Sequence, residues 1–339
     1  MATTLNGLFN EFLTNIEPDE EMRVDAISAH EGVRDWLAGH KEFKSTHVET
    51  FLAGSYRRRT SVAPIKDVDI VVICSMDAYD ESNPRPLLDR LKQALDDNKK
   101  YKTKTRPRRR SIQIESGKVE MDIVPTVAPN GVDKALKIPD RDVERWFWTH
   151  PKGHIQWTQS LNAATQQGDS DRGRFVPLVK MAKFWRGQQL RGKRHPKGHM
   201  VELCAGYYHD PAARDWADVF IAWLERSRNG LSAYKTLRTV PQFPDPGLPG
   251  QFIQTGMEWD DFERFYLKIA TALPVAEEAR RIAATDLAES ARLWQSLFGA
   301  TFPSPDKGGQ KGGRGPEGAA GGPPSAGRRP DVREAPYFG

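Results

Sequence analysis

The apolar positions in the first third of the chain change from a helical to a strand spacing. Between residues 5 and 40, apolar residues recur every three or four positions, which predicts two helices separated near Pro18. The stretch "HVETFLAGS" (47–55) predicts a strand that enters a turn. The next apolar run, "DVDIVVICS" (67–75), is uninterrupted at its aliphatic end, which indicates a strand buried on both faces.

The pattern continues with one helix, a hairpin and a long helical region. "SNPRPLLDRLKQALDDNKK" (82–100) predicts a loop and then a helix with leucines on one side. "SIQIESGKVEMDIVPTV" (111–127) contains two alternating runs that meet at Ser116-Gly117, which predicts a hairpin. From about residue 170, five segments with helical spacing follow, interrupted by the Pro/Gly-rich loop "TVPQFPDPGLPGQF" (239–252).

The composition changes again after Phe302, where "DKGGQKGGRGPEGAAGGPPSAGRRP" (306–330) holds too little apolar area to order itself. We therefore predict an α+β protein in three parts. Residues 1–165 form a mixed sheet with helices, including the N-terminal helices. Residues 166–303 form a helical lobe, and residues 304–339 form a disordered tail.

Charge and cysteine usage narrow the function classes only slightly. A net charge of +5 and a pI of about 9.1 suit an anionic substrate such as a nucleotide or a nucleic acid. Cys74 and Cys204 are too few for a multi-cysteine zinc site, and a disulfide framework is not expected. The first residues lack the layout of a signal peptide, and no apolar run has the length of a membrane span. We expect a cytoplasmic protein with no membrane partner.

Two acids open the second predicted strand. Residues two apart in a strand face the same way, so Asp67 and Asp69 share one face. Adjacent carboxylates repel each other and resist desolvation, and a pair of divalent cations would remove that cost. Mg²⁺ takes a few carboxylates and completes its shell with water and phosphate oxygens. Two such ions clamp the attacking and leaving oxygens of a phosphoryl transfer.

That chemistry requires a third carboxylate on a neighbouring strand. Asp122 lies within the apolar run "KVEMDIVP", and Glu120 shares its face as the competing candidate. Asp122 is preferred because it lies deeper in the run. The small-residue turn at Gly54 and Ser55 would bind phosphate through backbone N–H groups and the Ser55 hydroxyl.

The segments "GSYRRRTSVAPIKDVDIVVI" and "VEMDIVP" resemble the signature of the polymerase-β-type nucleotidyltransferase superfamily. Within it, the chain is most similar to the bacterial CD-NTases, which are related to cyclic GMP-AMP synthase and oligoadenylate synthase. "RFVPLVKMAKFWRGQ" followed by "ELCAGYYHD" resembles the start of the helical domain in that group. The resemblance covers about residues 5–300. It implies a polymerase-β-like nucleotidyltransferase lobe and an oligoadenylate-synthase-like helical lobe.

The resemblance also implies a role for each motif residue. Gly54 and Ser55 would hold the triphosphate of the donor nucleotide. Asp67 and Asp69 would bind two metal ions, Mg²⁺ or Mn²⁺. Asp122 would bind the second metal and help to deprotonate the attacking ribose hydroxyl.

Basic residues near the motif have two interpretations. By the resemblance, Lys180 or Lys183 would reach the triphosphate from the opposite wall of the cleft, although lysines on amphipathic helices are often plain surface. One of Arg57, Arg58 and Arg59 could line the phosphate entrance, whereas all three would not.

Other polar stretches favour structural interpretations. The basic segment "KKYKTKTRPRRR" (99–110) could bind nucleic acid, but we favour an exposed loop. His150, His154, His195 and His199 lack neighbouring cysteines or clustered acids, so we expect loop and surface roles for them. The Cys/His set of the zinc insertion in the animal immune synthase is missing, which argues against DNA sensing; nucleic acid is not expected to be required.

The expected reaction uses ATP and GTP as substrates. A ribose hydroxyl attacks an α-phosphate and releases pyrophosphate, repeatedly, until a cyclic di- or trinucleotide closes. By the resemblance, the product would be a second messenger of bacterial antiphage (CBASS) defence. The alternatives are a nucleotidyltransferase that acts on RNA or protein, by tRNA tailing or AMPylation, and a catalytically dead nucleotide- or RNA-binding scaffold.

The last residues, "REAPYFG", place Tyr337 and Phe338 before Gly339. A terminal glycine carboxylate is open to activation, and many CD-NTases are joined through their C-terminus to other molecules by a ubiquitin-transfer-type enzyme. The resemblance therefore implies Gly339 as a conjugation site and such an enzyme as a partner.

Overall fold

The computed structural model describes residues 4–18, 20–65, 67–116, 119–166 and 173–305. Within these ranges the helices are α1 (Leu5–Ile16), α2 (Glu20–Gly39), α3 (Gly54–Arg57), α4 (Arg85–Asp96), α5 (Pro151–Ala164), α6 (Phe175–Gln189), α7 (Gly198–Tyr208), α8 (Trp216–Leu237), α9 (Trp259–Ile282) and α10 (Leu287–Phe298). The strands are β1 (His47–Leu52), β2 (Asp67–Cys74), β3 (Thr105–Pro107), β4 (Ile112–Ser116), β5 (Val119–Val127), β6 (Leu136–Asp140), β7 (Arg145–Thr149), β8 (Phe243–Pro244) and β9 (Phe252–Ile253).

Strands β1 to β7 form one mixed sheet in the described part of the chain. Its order is β1-β2-β5-β4-β3, with β6 paired to β5 and β7. β2 and β5 run parallel, while the other pairs are antiparallel. The parallel pair at the centre of the sheet therefore holds the two strands that carry the predicted acids.

The predicted burial of β2 on both faces is confirmed. Val68 and Ile70 belong to a core shared with α2 and α4, while Val71 and Ile73 pack in a small core on the other side of the sheet. The 111–127 region also pairs as the predicted antiparallel hairpin, although Gly117 lies outside the described residues.

The helical lobe has a separate, aromatic-rich core. Its largest fully buried side chains include Trp185, Trp223 and Trp294. Phe9 and Phe12 of α1 belong to this core, with ring contacts to Trp294 and Phe298. The assignment of α1 to the sheet lobe is thus corrected: its apolar face packs in the second lobe, whereas α2 packs on the sheet. The tail from residue 306 onward, including Gly339, lies outside the described residues.

Candidate active site

The pairing of β2 with β5 brings the three predicted acids together. In the parallel register, Asp69 lies opposite Asp122, and Asp67 lies opposite Glu120. Asp69 is 6% exposed, whereas Asp67 is exposed at the start of the strand. The face of this strand pair that carries the acids is therefore a short row of carboxylates that runs from solvent into the molecule.

The surroundings of Asp69 resist its ionisation. Burial is the main cause, and repulsion from Asp67 and Asp122 adds to it, so that the pKa of Asp69 rises to about 8 despite attraction from Arg58 and Lys183. The charges of these three carboxylates repel one another, and a bound cation would reduce that repulsion.

The alternative third acid, Glu120, has a different environment. Gln113 Nε2 donates a 3.0 Å hydrogen bond to Glu120 Oε2, and Glu120 is exposed. Asp122 is more enclosed, and Ser111 Oγ donates to its Oδ1 at 3.1 Å. Burial, together with Asp67, raises the pKa of Asp122, although the Ser111 hydrogen bond opposes this. Asp122 thus lies beside Asp69, and the Ser111 hydrogen bond holds one of its carboxylate oxygens.

Gly54 closes the other side of this row. Its φ is +61°, a left-handed conformation that glycine adopts at low cost. A Cβ at this position would lie 1.7 Å from Asp69 Oδ2. The hydrogen bond from Ala53 N to Asp69 O, at 2.9 Å, fixes the end of β1 beside the acids. Ser55 follows in α3, with its Oγ 3.0 Å from Ser61 Oγ.

The donor set fits a divalent cation that arrives with a phosphate. Within the described residues, no three His, Cys, Asp or Glu side chains are gathered closely enough to hold a metal ion alone. Mg²⁺ is commonly bound through one or two carboxylates and takes its remaining ligands from water and substrate phosphates. The repulsion among Asp67, Asp69 and Asp122 is consistent with such a site.

The two predicted lysines have different neighbours. Lys183 Nζ donates to Glu202 Oε2 at 3.0 Å and to Thr60 Oγ1 at 3.2 Å, and it is close enough to Asp67 to be attracted by its charge. Lys180 is buried and donates to Glu17 Oε1 at 2.9 Å. The structure therefore brings Lys183 to the acids and places Lys180 against the end of α1.

A cavity of about 280 Å³ opens beside Gly54 between the two lobes. The sheet lobe contributes Arg110 and Phe147, whose guanidinium and ring stack at 4.2 Å. The helical side contributes residues of α5, α7 and the 245–254 segment. Arg58 also lines this cavity and is buried, whereas Arg57 and Arg59 are exposed. Among the three arginines, only Arg58 faces the cleft.

The expected loop and surface roles are wrong for two histidines. His199 lies on α7 and is buried, and His154 lies on α5, where its Nε2 is 2.9 Å from Asp245 Oδ1. Both line the cavity, with ring centroids 5.5 Å apart. Burial, with a smaller effect of His154, lowers the pKa of His199 to about 3, so its imidazole is neutral.

The basic 99–110 segment divides into two parts. Its lysines are exposed in the turn before β3, in agreement with the predicted loop, whereas Thr105–Pro107 form β3 instead of a loop. Arg110 is 14% exposed and pairs with the buried Asp140 at 2.7 Å, and it lines the cleft. Sequence reasoning missed this arginine because its partner lies thirty residues away.

Comparisons with known proteins agree with this site. The model of the Second Messenger Oligonucleotide or Dinucleotide Synthetase domain matches residues 2–162. The cyclic AMP-AMP-AMP synthase of Acinetobacter sp. is 33% identical over 308 residues, which covers 88% of this chain and 86% of the relative. The cyclic AMP-AMP-GMP synthase of Enterobacter hormaechei is 27% identical over 363 residues, covering 89% and 92% respectively.

A solved structure shows the same fold. E. coli CdnC, in its complex with HORMA-deltaN, superposes with a TM-score of 0.69 at 16% identity, covering 88% of this chain and 98% of that one. The acid-bearing strand pair thus lies in a polymerase-β-like fold, and the curated relative identifies the class of protein as a nucleotidyltransferase. The chain belongs to the bacterial CD-NTase family, the cyclic-oligonucleotide synthases of antiphage (CBASS) signalling. The predictions of fold, family and activity are confirmed.

Two further expectations concern location and conjugation. In the described ranges, none of the helices combines the length and the apolar character needed to cross a bilayer. Gly339 lies outside the described residues, so conjugation through it stays a prediction.

Proposed function

We propose that this enzyme condenses ATP, alone or with a second nucleoside triphosphate such as GTP, into a cyclic trinucleotide. The observation that carries the chemistry is the register of β2 and β5, which sets Asp69 beside Asp122 and next to Gly54. The ring size rests on the two curated relatives, whose names both describe cyclic trinucleotides that contain adenine.

In this proposal, Gly54 and Ser55 hold the donor triphosphate at the cleft end of β1. The ribose hydroxyl of the second nucleotide attacks the α-phosphate, a new P–O bond forms, and the bond to the β-phosphate breaks with release of pyrophosphate. Asp122 receives the hydroxyl proton, and the hydrogen bond from Ser111 Oγ to Oδ1 orients its carboxylate for this role.

Asp67, Asp69 and Asp122 are also the residues that would hold divalent cations. Two such ions, when bound with the triphosphate, would stabilise the charge on the attacking and leaving oxygens. The protein itself contributes position: a rigid sheet carries the acids, and the second lobe closes the cleft opposite them. Lys183 and Arg58 supply positive charge at the same end of the cleft.

Replacement of the acid pair tests this assignment. The double variant Asp67→Ala/Asp69→Ala should make no product from ATP and GTP while it remains folded. Its thermal midpoint should equal or exceed that of the wild type, because two repelling carboxylates, one of them buried, are removed.

Glu225→Ala serves as a control, since Glu225 is an exposed acid on α8, away from the acid row. Retention of more than a few per cent of wild-type activity by the double variant would contradict the metal assignment. Loss of activity in the control would show that the assay does not report on the site.

A further inference from the structure

Glu202 is a buried carboxylate that the reaction described above does not use. It lies on α7 and is 1% exposed. Arg58 donates to it twice, from Nε to Oε1 at 2.7 Å and from Nη2 to Oε2 at 3.3 Å. Lys183 Nζ and Thr60 Oγ1 each donate to Oε2 at 3.0 Å, and Thr158 Oγ1 approaches Oε1 at 3.4 Å.

These partners come from both lobes. Arg58 and Thr60 follow α3 in the sheet lobe, Lys183 and Glu202 belong to α6 and α7, and Thr158 belongs to α5. Glu202 therefore accepts hydrogen bonds from both lobes, at the place where the segment after the Gly54-Ser55 turn contacts the helical lobe.

The electrostatics show that Glu202 is ionised. Burial opposes its charge, but Arg58 and Lys183 outweigh burial and hold the pKa of Glu202 well below its usual value. The two cations also repel each other, since Arg58 disfavours the charged form of Lys183. Without Glu202, two positive charges would remain close together in a dry environment, and they would separate or take up water.

Arg58 links this cluster to the cleft. Its backbone N–H donates to Gly54 O at 3.2 Å, and its side chain lines the cavity together with Gly54. Because both Nε and Nη2 are held by Glu202, the plane of the guanidinium is fixed. Lys183 is held in the same way by Thr60 and Glu202, and both cations attract Asp69.

We propose that Glu202 is a positioning residue, which orients Arg58 and Lys183 toward the triphosphate of the nucleotide bound at Gly54 and Ser55. The inference rests on the proposed function, since it presupposes a nucleotide in this cleft. One anion beside two cations leaves a net positive charge facing the phosphates. The same anion keeps both cations in place before the nucleotide arrives. Nucleotide binding therefore costs less side-chain conformational entropy at Arg58 and Lys183.

A double-mutant cycle on Glu202 and Arg58 tests the proposal. Glu202→Gln keeps the shape but removes the charge, and we expect it to raise the Kd for ATP and lower kcat/KM by about 10- to 100-fold. Because part of the effect of Glu202 acts through Arg58 and part through Lys183, the double variant Glu202→Gln/Arg58→Gln should lose less than the product of the two single losses. Losses that multiply in the double variant would overturn the proposal, because a merely structural carboxylate would act independently.

Arg58→Lys is informative even if Glu202→Gln does not fold. It keeps the positive charge but cannot make two parallel hydrogen bonds with Glu202, so ATP binding should weaken about tenfold or more. Wild-type affinity in Arg58→Lys would contradict the proposal.

A matched control separates stability from positioning. Leu231→Ala removes a fully buried side chain of α8 in the helical core and should lower the thermal midpoint without changing the Kd for ATP.

The outcomes also separate the two proposals. Wild-type protein that neither binds ATP nor forms product contradicts the proposed function. Active wild type with unchanged Kd in folded Glu202→Gln contradicts only the role of Glu202.

Discussion

Gly54 makes the most specific demand on residue type in this site. Its positive φ alone disfavours any side chain, and the adjacent Asp69 carboxylate occupies the space that a Cβ would need. A substitution here therefore strains the turn and displaces the Asp69 carboxylate at the same time.

Gly54→Ala should lower the free energy of unfolding by about 2–4 kcal/mol, because alanine disfavours the left-handed backbone conformation and its Cβ clashes with Asp69. Activity should fall at least a hundredfold because Asp69 must move. Denaturant unfolding and product formation measure the two effects.

Gly187→Ala is the matched control for Gly54→Ala. Gly187 is exposed on α6, and nothing lies within 4 Å of its Cβ position. The free energy of unfolding of Gly187→Ala should exceed that of the wild type by about 0.5–1 kcal/mol, and the variant should keep full activity. Equal behaviour of the two variants would contradict the steric account.

His199 gives the protein a sensitivity to acid. The groups around this imidazole are His154, Arg58 and Lys183, which disfavour its charge, and Glu202, which favours it. Because burial and these cations lower its pKa from 6.5 to about 3, the unfolded chain binds the proton more readily than the folded one between these values. The folded state therefore loses stability as the pH falls below 6.5.

His199→Phe should remove this contribution. Between pH 6.5 and 5, the wild type should lose about 1–2 kcal/mol more unfolding free energy than the variant. Chemical denaturation of both proteins at the two pH values provides the measurement. Parallel pH dependences would show that His199 does not carry the effect.

At the scale of elements, the sequence predicted what is encoded locally. The continuous aliphatic run after Asp69 identified β2, and the alternation around Ser116 identified the β4–β5 hairpin. Because Asp67 and Asp69 open β2 and Asp122 lies within β5, all three acids could be named without coordinates. Their meeting depends on the parallel register of β2 and β5, whereas the sequence predicted only that the third acid lies on a neighbouring strand.

The elements that were missed lack a strong local pattern. α5 carries few apolar residues, and its one start signal was Pro151 at the first helical position. β6 and β7 pair mainly with each other, so their burial depends on contacts that periodicity does not report. α1 was recognised as a helix but assigned to the wrong core, since an amphipathic face does not state which partner covers it.

Glu202 and Arg58 show the same limit within the site. They lie 144 residues apart in the sequence. The segment around Glu202 has the pattern of an ordinary helix, and the segment around Arg58 has the pattern of a basic loop. Only the packing of α7 against the turn after β1 shows that they form one cluster.

At the scale of the whole molecule, two lobes with separate cores meet at the acid row, the buried cluster around Glu202 and the cavity. A cleft of this kind suits repeated use of one site, because the product of each transfer can return as the acceptor of the next. Cyclisation differs from nucleotide transfer to RNA or protein in one observable respect. The product of cyclisation is a closed ring, and no polymer acceptor is needed.

The product of the purified enzyme tests this central claim most directly. The four ribonucleoside triphosphates are incubated with the protein and Mg²⁺ or Mn²⁺, and the product masses are read by mass spectrometry. The account predicts pyrophosphate and a compound of three dehydrated nucleoside monophosphates, including adenylate, without a terminal phosphate. Nucleotide transfer only to added RNA or protein, with no such ring, would contradict it.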